Sequence, residues 1–280
     1  MIDRIRTDQD SSVRRCCRVL GFSRSTYLRQ DKREQRSNAG AALRVLLRQT
    51  CSQFIAWGFW MVFHYLRNQE LTKANHKLVY RLYKAEKLHL RAEPKRQRLH
   101  RTYQDLLAPE AINEGWAMDF VSDWLVGPSQ QSVRIINIVD EHSRRALWTE
   151  AHPSIPATKL TKILDQLVEA RGAPRYIRTD NGPEFISKEL QRWALRHGVT
   201  LRFIQPGKPS QNGICERLNK TLRKECLNLT WFTTMDTLNE SIQEWSQNYN
   251  LIRPHKSLSY KSPNDYETQH ANLYYRLVPA

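Results

Sequence analysis

Three carboxylates, Asp119, Asp180 and Glu216, have the residue type and spacing for metal-assisted chemistry on phosphate esters. Sixty residues separate the first two and 35 separate the last two. Two divalent ions held about 3.5 to 4 Å apart activate an attacking oxygen and steady a leaving one in an in-line displacement at phosphorus. Such hard ions take carboxylate oxygens, so the acids must converge from separate elements. Asp119 sits in the apolar run 116–121, which reads as a strand, and between Met118 and Phe120 an acid costs free energy unless it is paired or metal-bound. Asp180 ends a second strand run, 175–180, and Asn181-Gly182 follows as a turn signal. Glu216 lies a turn into 212–222, which has helical spacing. Each acid also has an ordinary reading: a hydrogen-bonded strand acid, Asp-Asn-Gly turn chemistry, and a first-turn acid favoured by the helix dipole. All three would have to hold together to defeat the metal reading. Asp123, Asp140 and Glu184 compete for the same role.

The flanking residues carry a resemblance. Trp116-x-x-Asp119, Asp180-Asn-Gly-Pro-Glu-Phe185, Gln205-Pro-Gly-Lys-Pro-x-x-Asn212-Gly-x-x-Glu216 and Tyr249-Asn-x-x-Arg253-Pro-His-x-Ser-Leu258 form an ordered set. Together they resemble the integrase core of bacterial insertion-sequence transposases of the insertion-sequence-three type. Asn75-His-Lys-Leu-Val-Tyr-Arg-Leu-Tyr83 resembles the helical segment upstream of that core. The resemblance implies a ribonuclease-H-like α/β fold and Asp119, Asp180 and Glu216 as catalytic and metal-holding residues, with Asp140 and Glu184 as structural supports. It also implies Mg²⁺, replaceable by Mn²⁺, at two ions per site, and Arg223 in contact with terminal DNA at i+7 from Glu216. Departures occur at Ala56-Trp-Gly-Phe-Trp, where relatives have a Tyr-Gly-Tyr-Arg pattern, and at Arg217, where many have Ser. A leucine zipper is not evident, so the chain reads as the downstream-frame product or that part of a fusion.

The elements that must position these residues follow from pattern. Residues 10–30 suggest two short helices, the first capped by Ser11 or Ser12 and broken at Gly21, the second capped by Ser23. This pair is either a helix-turn-helix presenting Arg24 and Arg29 to phosphate or an ordinary helical hairpin. A polar link is expected at 31–38, then helices at 41–49, 56–67 and from Thr72 or Asn75 to Lys87. Phe54, Trp57, Phe59, Trp60 and Phe63 should form a small core, joined by Leu78, Val79, Leu82 and Tyr83. Lys77, Arg81 and Lys84 fall on another face as a DNA-contacting stripe, or as a plain solvated one. The domain reading is a helical, helix-turn-helix-like DNA-binding region at 1–90, a basic linker at 91–108, the catalytic core at 109–230, and a C-terminal helix with an irregular tail at 231–280. In the core, strands are expected at 116–125, 133–140, 146–151, 176–179 and 200–204, with helices at 156–171, 188–197 and from 212 to about 226. That order implies a five-stranded mixed sheet flanked by helices. Gln205 to Gly213 should be a mobile loop delivering Glu216, with Gln211 and Asn212 near the scissile region or merely solvated. Lys220, at i+4, should either pair with Glu216 or meet DNA.

The formal net charge of +16 is lopsided: residues 1–110 carry +13 and the remainder +3. Basic excess favours a polyanion through counterion release, and here it avoids the acids. No apolar run reaches membrane-spanning length and no signal-peptide pattern is seen, so a bacterial cytoplasmic, nucleoid-associated protein is expected. The five cysteines contain no C-x-x-C pair and read as reduced thiols rather than zinc ligands. The leading expectation is a DNA transposase acting as a homo-oligomer on terminal inverted repeats and target DNA, with an upstream-frame product as possible partner. The alternatives are a non-catalytic DNA-binding regulator and a nuclease of RNA·DNA hybrids.

Overall fold

The computed structural model describes residues 12–90, 108–127, 130–205 and 209–275, all with side chains except 28–39, 209 and 210. The chain divides into two compact units, Met1–Arg91 and Ala92–Ala280. The basic linker expected at 91–108 falls outside the described residues except at its last position.

The first unit is helical: α1 (Val13–Val19), α2 (Arg24–Gln53), α3 (Phe59–Asn68) and α4 (His76–Ala85). Ser12 caps α1, its hydroxyl accepting from Arg15 N at 3.3 Å, and Asn75 caps α4 by accepting from Lys77 N at 2.9 Å. Gly21, at φ +62°, makes the turn between α1 and α2 in a region costly for other residues. The polar link expected at 31–38 is instead part of the 30-residue helix α2. Its Lys, Arg, Glu and Gln residues are good helix formers, and no proline interrupts them. Leu43 and Leu47 of α2 meet Val62 and Leu66 of α3 and Val79, Leu82 and Tyr83 of α4 in one core. Leu78, expected there, is 37% exposed, because one residue back from Val79 turns it about 100° away. Trp60 likewise stays half exposed.

In the second unit β1 (Gly115–Leu125), β2 (Gln131–Asp140), β3 (Ala146–His152), β4 (Tyr176–Thr179) and β5 (Thr200–Phe203) form one sheet in the order β3-β2-β1-β4-β5. The β1–β2 and β2–β3 pairs are antiparallel, and β1–β4 and β4–β5 are parallel. Helices α5 (Ala157–Arg171) and α6 (Lys188–Arg196) cover one face, where Trp116 and Met118 of β1 meet Leu160, Leu164, Leu190 and Trp193. Helices α7 (Gly213–Leu222) and α8 (Met235–Leu251) cover the other, where Ala117, Val121 and Leu125 meet Leu218, Leu222, Ile242 and Trp245. β1 is therefore central, with alternate side chains feeding two cores. The sheet and its helices match the ribonuclease-H-like architecture expected from the sequence.

Gly115 sets how closely β1 and β4 approach, since a Cβ there would collide with the Tyr176 ring opposite it. The C-terminal tail, expected to be largely irregular, contains α9 (Pro263–Gln269). Ser262 caps it, and Glu267 ties it to Arg145 just before β3 at 3.1 Å and to Arg171 at the end of α5 at 2.8 Å. The motif residues Arg253 and His255, whose role the sequence left open, pack: Arg253 pairs with Glu225 at 2.8 Å, and His255 sits edge-on to Tyr249 with ring centroids 4.6 Å apart.

Burial, aided by the charges of Arg253 and Arg144, depresses the His255 imidazolium to about 3. The folded chain keeps His255 neutral while the unfolded chain protonates it below about 6.5, so its contribution is complete above that pH and lost as acid is added. Between pH 6.5 and 5 the parent should lose about 2 kcal/mol more unfolding free energy than a His255→Gln variant. Urea titrations at the two pH values test this; equal losses would contradict it.

Candidate active site

The two aspartates come from β1 and from the residue that follows β4, its neighbour in the sheet. β1 and β4 pair in parallel at Trp116↔Ile177 and Ala117↔Arg178, and this register continued by two residues sets Asp180 beside Asp119. Neighbouring strands lie about 4.8 Å apart, so the carboxylates share one end of the sheet. Asp180 is fixed by the turn the sequence suggested: its Oδ1 accepts from Gly182 N at 2.9 Å, and Asn181 Nδ2 donates to Ile204 O at 2.8 Å. Phe185 beyond the turn is buried and stacks on Phe120 at 4.8 Å.

Glu216 arrives on the first turn of α7, and its charge is felt at Asp119. Burial is the main reason that the Asp119 carboxyl is pushed up to about 6; the charges of Asp180 and Glu216 add to it. Burial alone raises Glu216. Among the described residues, no three His, Cys, Asp or Glu side chains are closed around a common metal position. The charges of Asp180 and Glu216 are nonetheless felt at Asp119, a repulsion that a divalent cation would relieve. The donor set, hard oxygens on three separate elements, suits Mg²⁺ or Mn²⁺.

A residue that pattern reading overlooked organises the centre. Asn219, one turn after Glu216, donates from Nδ2 to Asp119 Oδ2 at 2.8 Å and accepts at Oδ1 from Asn137 Nδ2 at 2.7 Å. Asn137 is the cross-strand partner of Asp119 on β2. Asp119 Oδ1 accepts from Phe120 N at 2.8 Å. Both oxygens are therefore oriented while keeping lone pairs free. The available signal was an asparagine in the apolar strand β2 opposite an acid.

The approach loop is pinned from both sides. Arg178 of β4, only 7% exposed, donates to Gln211 O at 3.0 Å and pairs with Glu141 at 3.2 Å. Asn212 Nδ2 donates to Met118 O at 3.2 Å. Asn212 was expected on the approach loop, either near the scissile region or merely solvated; the structure instead buries it against β1, in the turn Pro209–Asn212. Residues 206–208 of the expected mobile loop lie outside the described residues.

The competing acids separate cleanly. Asp140 is fully buried and accepts from Asn113 N and Ser143 N at 2.6 Å and His142 N at 3.0 Å, so it is a structural support. Burial raises the Glu184 carboxyl, but the hydrogen bond and charge of Arg134 and a backbone hydrogen bond together outweigh it and hold the group below its ordinary range. Asp123 faces Arg223 Nη1 at 3.8 Å. Arg223 also donates to Ser122 O at 2.6 Å and remains part exposed. Lys220 is exposed, and among the described residues it forms no ion pair with Glu216. In the first unit Arg24, Lys77, Arg81 and Lys84 are exposed; the Arg29 side chain lies outside the description.

The sheet order and the helices on its two faces define an integrase-like core. Residues 109–209 and 197–263 each match a family described as an integrase core domain. Over 95% of this chain and 94% of its own length, the 31.7 kDa protein of insertion element IS407 from Burkholderia multivorans is 38% identical. The Escherichia coli transposase InsD of insertion element IS2D is 24% identical over 93% of this chain and 91% of its own. Among solved structures, a chain of the simian T-cell lymphotropic virus intasome, in complex with PP2A regulatory subunit B56 gamma, shares the fold. Its TM-score is 0.50 at 19% identity, covering 75% of this chain and 71% of that one. The chain belongs to the bacterial insertion-element transposases with an integrase core domain, DDE-type enzymes of polynucleotidyl transfer.

Removing the side chain that orients Asp119 should tell in turnover. Asn219→Ala is expected to lower strand cleavage roughly 10- to 100-fold and to raise the metal concentration needed for half-maximal rate. Circular dichroism should stay unchanged. A variant with parental rate and metal requirement would rule out the orienting role.

Proposed function

We propose that this transposase cuts DNA strands at the ends of its element and joins the exposed 3′-hydroxyl to another phosphate. Asp119, Asp180 and Glu216 are the catalytic carboxylates and hold the divalent ions. The observation that supports this reading is that Asp119 feels the charges of both Asp180 and Glu216, acids distant from it in sequence. Two Mg²⁺ ions, or Mn²⁺ in their place, would be held by Asp119, Asp180 and Glu216 and would supply activation of the attacking oxygen and stabilisation of the leaving one. The chain's own residues supply position. β1 and β4 hold the aspartates side by side, Asn219 keeps the Asp119 oxygens turned, and the pinned loop sets where α7 begins. No covalent enzyme intermediate is required.

DNA is held in two places. Lys220 and Arg223 lie at i+4 and i+7 from Glu216, and so meet phosphates next to the reacting one. Arg24, Lys77, Arg81 and Lys84 of the first unit bind terminal repeats largely through phosphates, in line with the +13 charge of residues 1–110. Asn212 serves by fixing β1 to the loop, with direct DNA contact only once that loop opens. The chain acts on nucleoid DNA in the bacterial cytoplasm, as a homo-oligomer bridging two ends. Some elements supply the upstream-frame product as a partner. No helix among the described residues is long and apolar enough to cross a membrane. No observation favours a purely regulatory, non-catalytic role.

Asp180→Asn removes a metal-holding charge while keeping the turn's shape. Cleavage of labelled element ends in Mg²⁺ should fall by more than about 100-fold, beyond the loss a merely supporting residue causes. Affinity for the same ends should stay within about twofold. A variant that still cuts and joins would refute the assignment.

A further inference from the structure

We propose that a cleft at the far end of β1 seats an unpaired nucleobase of the bound DNA strand, about five nucleotides from the scissile phosphate. The inference rests on the transposase reading above and adds a second binding site to it. The cleft encloses about 540 Å³ between the end of β1 and the segment 227–232. Trp124 and Trp231 line it and stand 58% and 83% exposed. Two tryptophans so open to water on one patch mark a surface that meets something. The segment is built rather than loose. Phe232 is buried, and its carbonyl accepts from Val126 N at 2.8 Å, tying it to β1. At the end of α7 the chain makes a π-helical turn, Arg223–Leu227, closed by Asn228 N donating to Arg223 O at 2.8 Å. Such turns are frequent at functional positions.

Placement selects the occupant. Glu216, Lys220, Arg223 and Leu227 form one stripe along α7 and the π-helical turn, running from the catalytic acid past two cations to the cleft. Eleven residues of helix span about 17 Å, and the six residues along β1 from Asp119 to Leu125, which lines the cleft on the same sheet face, span about 20 Å. At about 3.4 Å per nucleotide, a strand with its reacting phosphate at the acids reaches the cleft after roughly five steps. The only charged residue lining the cleft among those described is Asp123, and it faces Arg223. The cleft is therefore near neutral and aromatic, suited to a base face, while the cations before it suit phosphates. A second copy of the chain is the less favoured occupant, because a formal charge of +16 repels its like and attracts a polyanion.

The test is a binding titration of the full chain with a fluorescein-labelled oligothymidine 12-mer, alongside a blunt duplex of equal length, at fixed salt. Trp124→Ala and Trp231→Ala should each weaken single-strand binding roughly 5- to 150-fold, leave duplex binding within about twofold, and be largely rescued by Phe. Parental single-strand affinity in both alanine variants would overturn the proposal. So would sedimentation showing that the substitutions break a dimer while single-strand affinity holds. Cleavage of element-end duplex by the parent is read in parallel. If the parent cuts but the variants bind single strands normally, only the cleft assignment fails. If the parent never cuts, the functional reading fails whatever the titration shows.

Discussion

The structure turns on holding ionisable oxygens together where they repel. Asp119 is part buried, and burial together with the charges of Asp180 and Glu216 pushes it up to about 6. Left alone, such a group sheds its charge or the site opens. The protein answers with neutral donors rather than a counter-ion: the Phe120 amide and the Asn219 amide each take one Asp119 oxygen. An arginine in their place would stabilise the metal-free fold better and would compete with a divalent cation for the same oxygens. Amides orient without neutralising, so the charge stays available.

Everything around the acids serves that arrangement. Gly115 lets the Tyr176 ring lie against β1, and this contact begins the parallel pairing that aligns Asp119 with Asp180. The same tyrosine donates to Glu141 at 2.7 Å, and Glu141 pairs with Arg178. Arg178 in turn holds the loop before Glu216. Strand spacing and loop position are thus set by one buried chain of partners. Its charged members are paired, as burial demands, and removing one would strand another. On the opposite side, the pair between Arg253 and Glu225 and the packing of His255 fasten the end of α7 to the chain after α8. The motif that sequence reading could not assign is a fastening for the helix that carries the third acid.

The core elements were legible because each strand is a short apolar run closed by a turn signal and each helix shows a clean apolar face. The acids were legible for the same reason, as charged residues placed where the pattern called for apolar ones. What escaped was set by distant partners. Residues 31–38 carry no apolar period, yet they continue as helix because the flanking turns are helical and nothing breaks them. In the tail, the Ser262 cap and Pro263 in the first turn were helix-start signals, outweighed in the reading by proline content. The docking of that helix depends on Glu267 meeting Arg145 and Arg171, which no local pattern discloses. Asn212 looked solvated because it lies among prolines and glycines; its burial follows from a bond to Met118 O on a strand far back in the sequence.

Charge is divided along the chain in a way that fits this chemistry. Residues 1–110 hold most of the basic excess, while the remainder is close to balanced. Affinity for a polyanion and chemistry on its phosphate make opposite demands, since cations near the acids would cancel the charge that must hold metal. Concentrating Lys and Arg in the helical unit lets phosphate neutralisation supply binding without that conflict. Within the core Lys220 and Arg223 are exposed one and two turns along α7 from Glu216, and among the described residues neither forms an ion pair with it. On the reading proposed above, neither of these two cations offsets the Glu216 carboxylate that would help to hold metal.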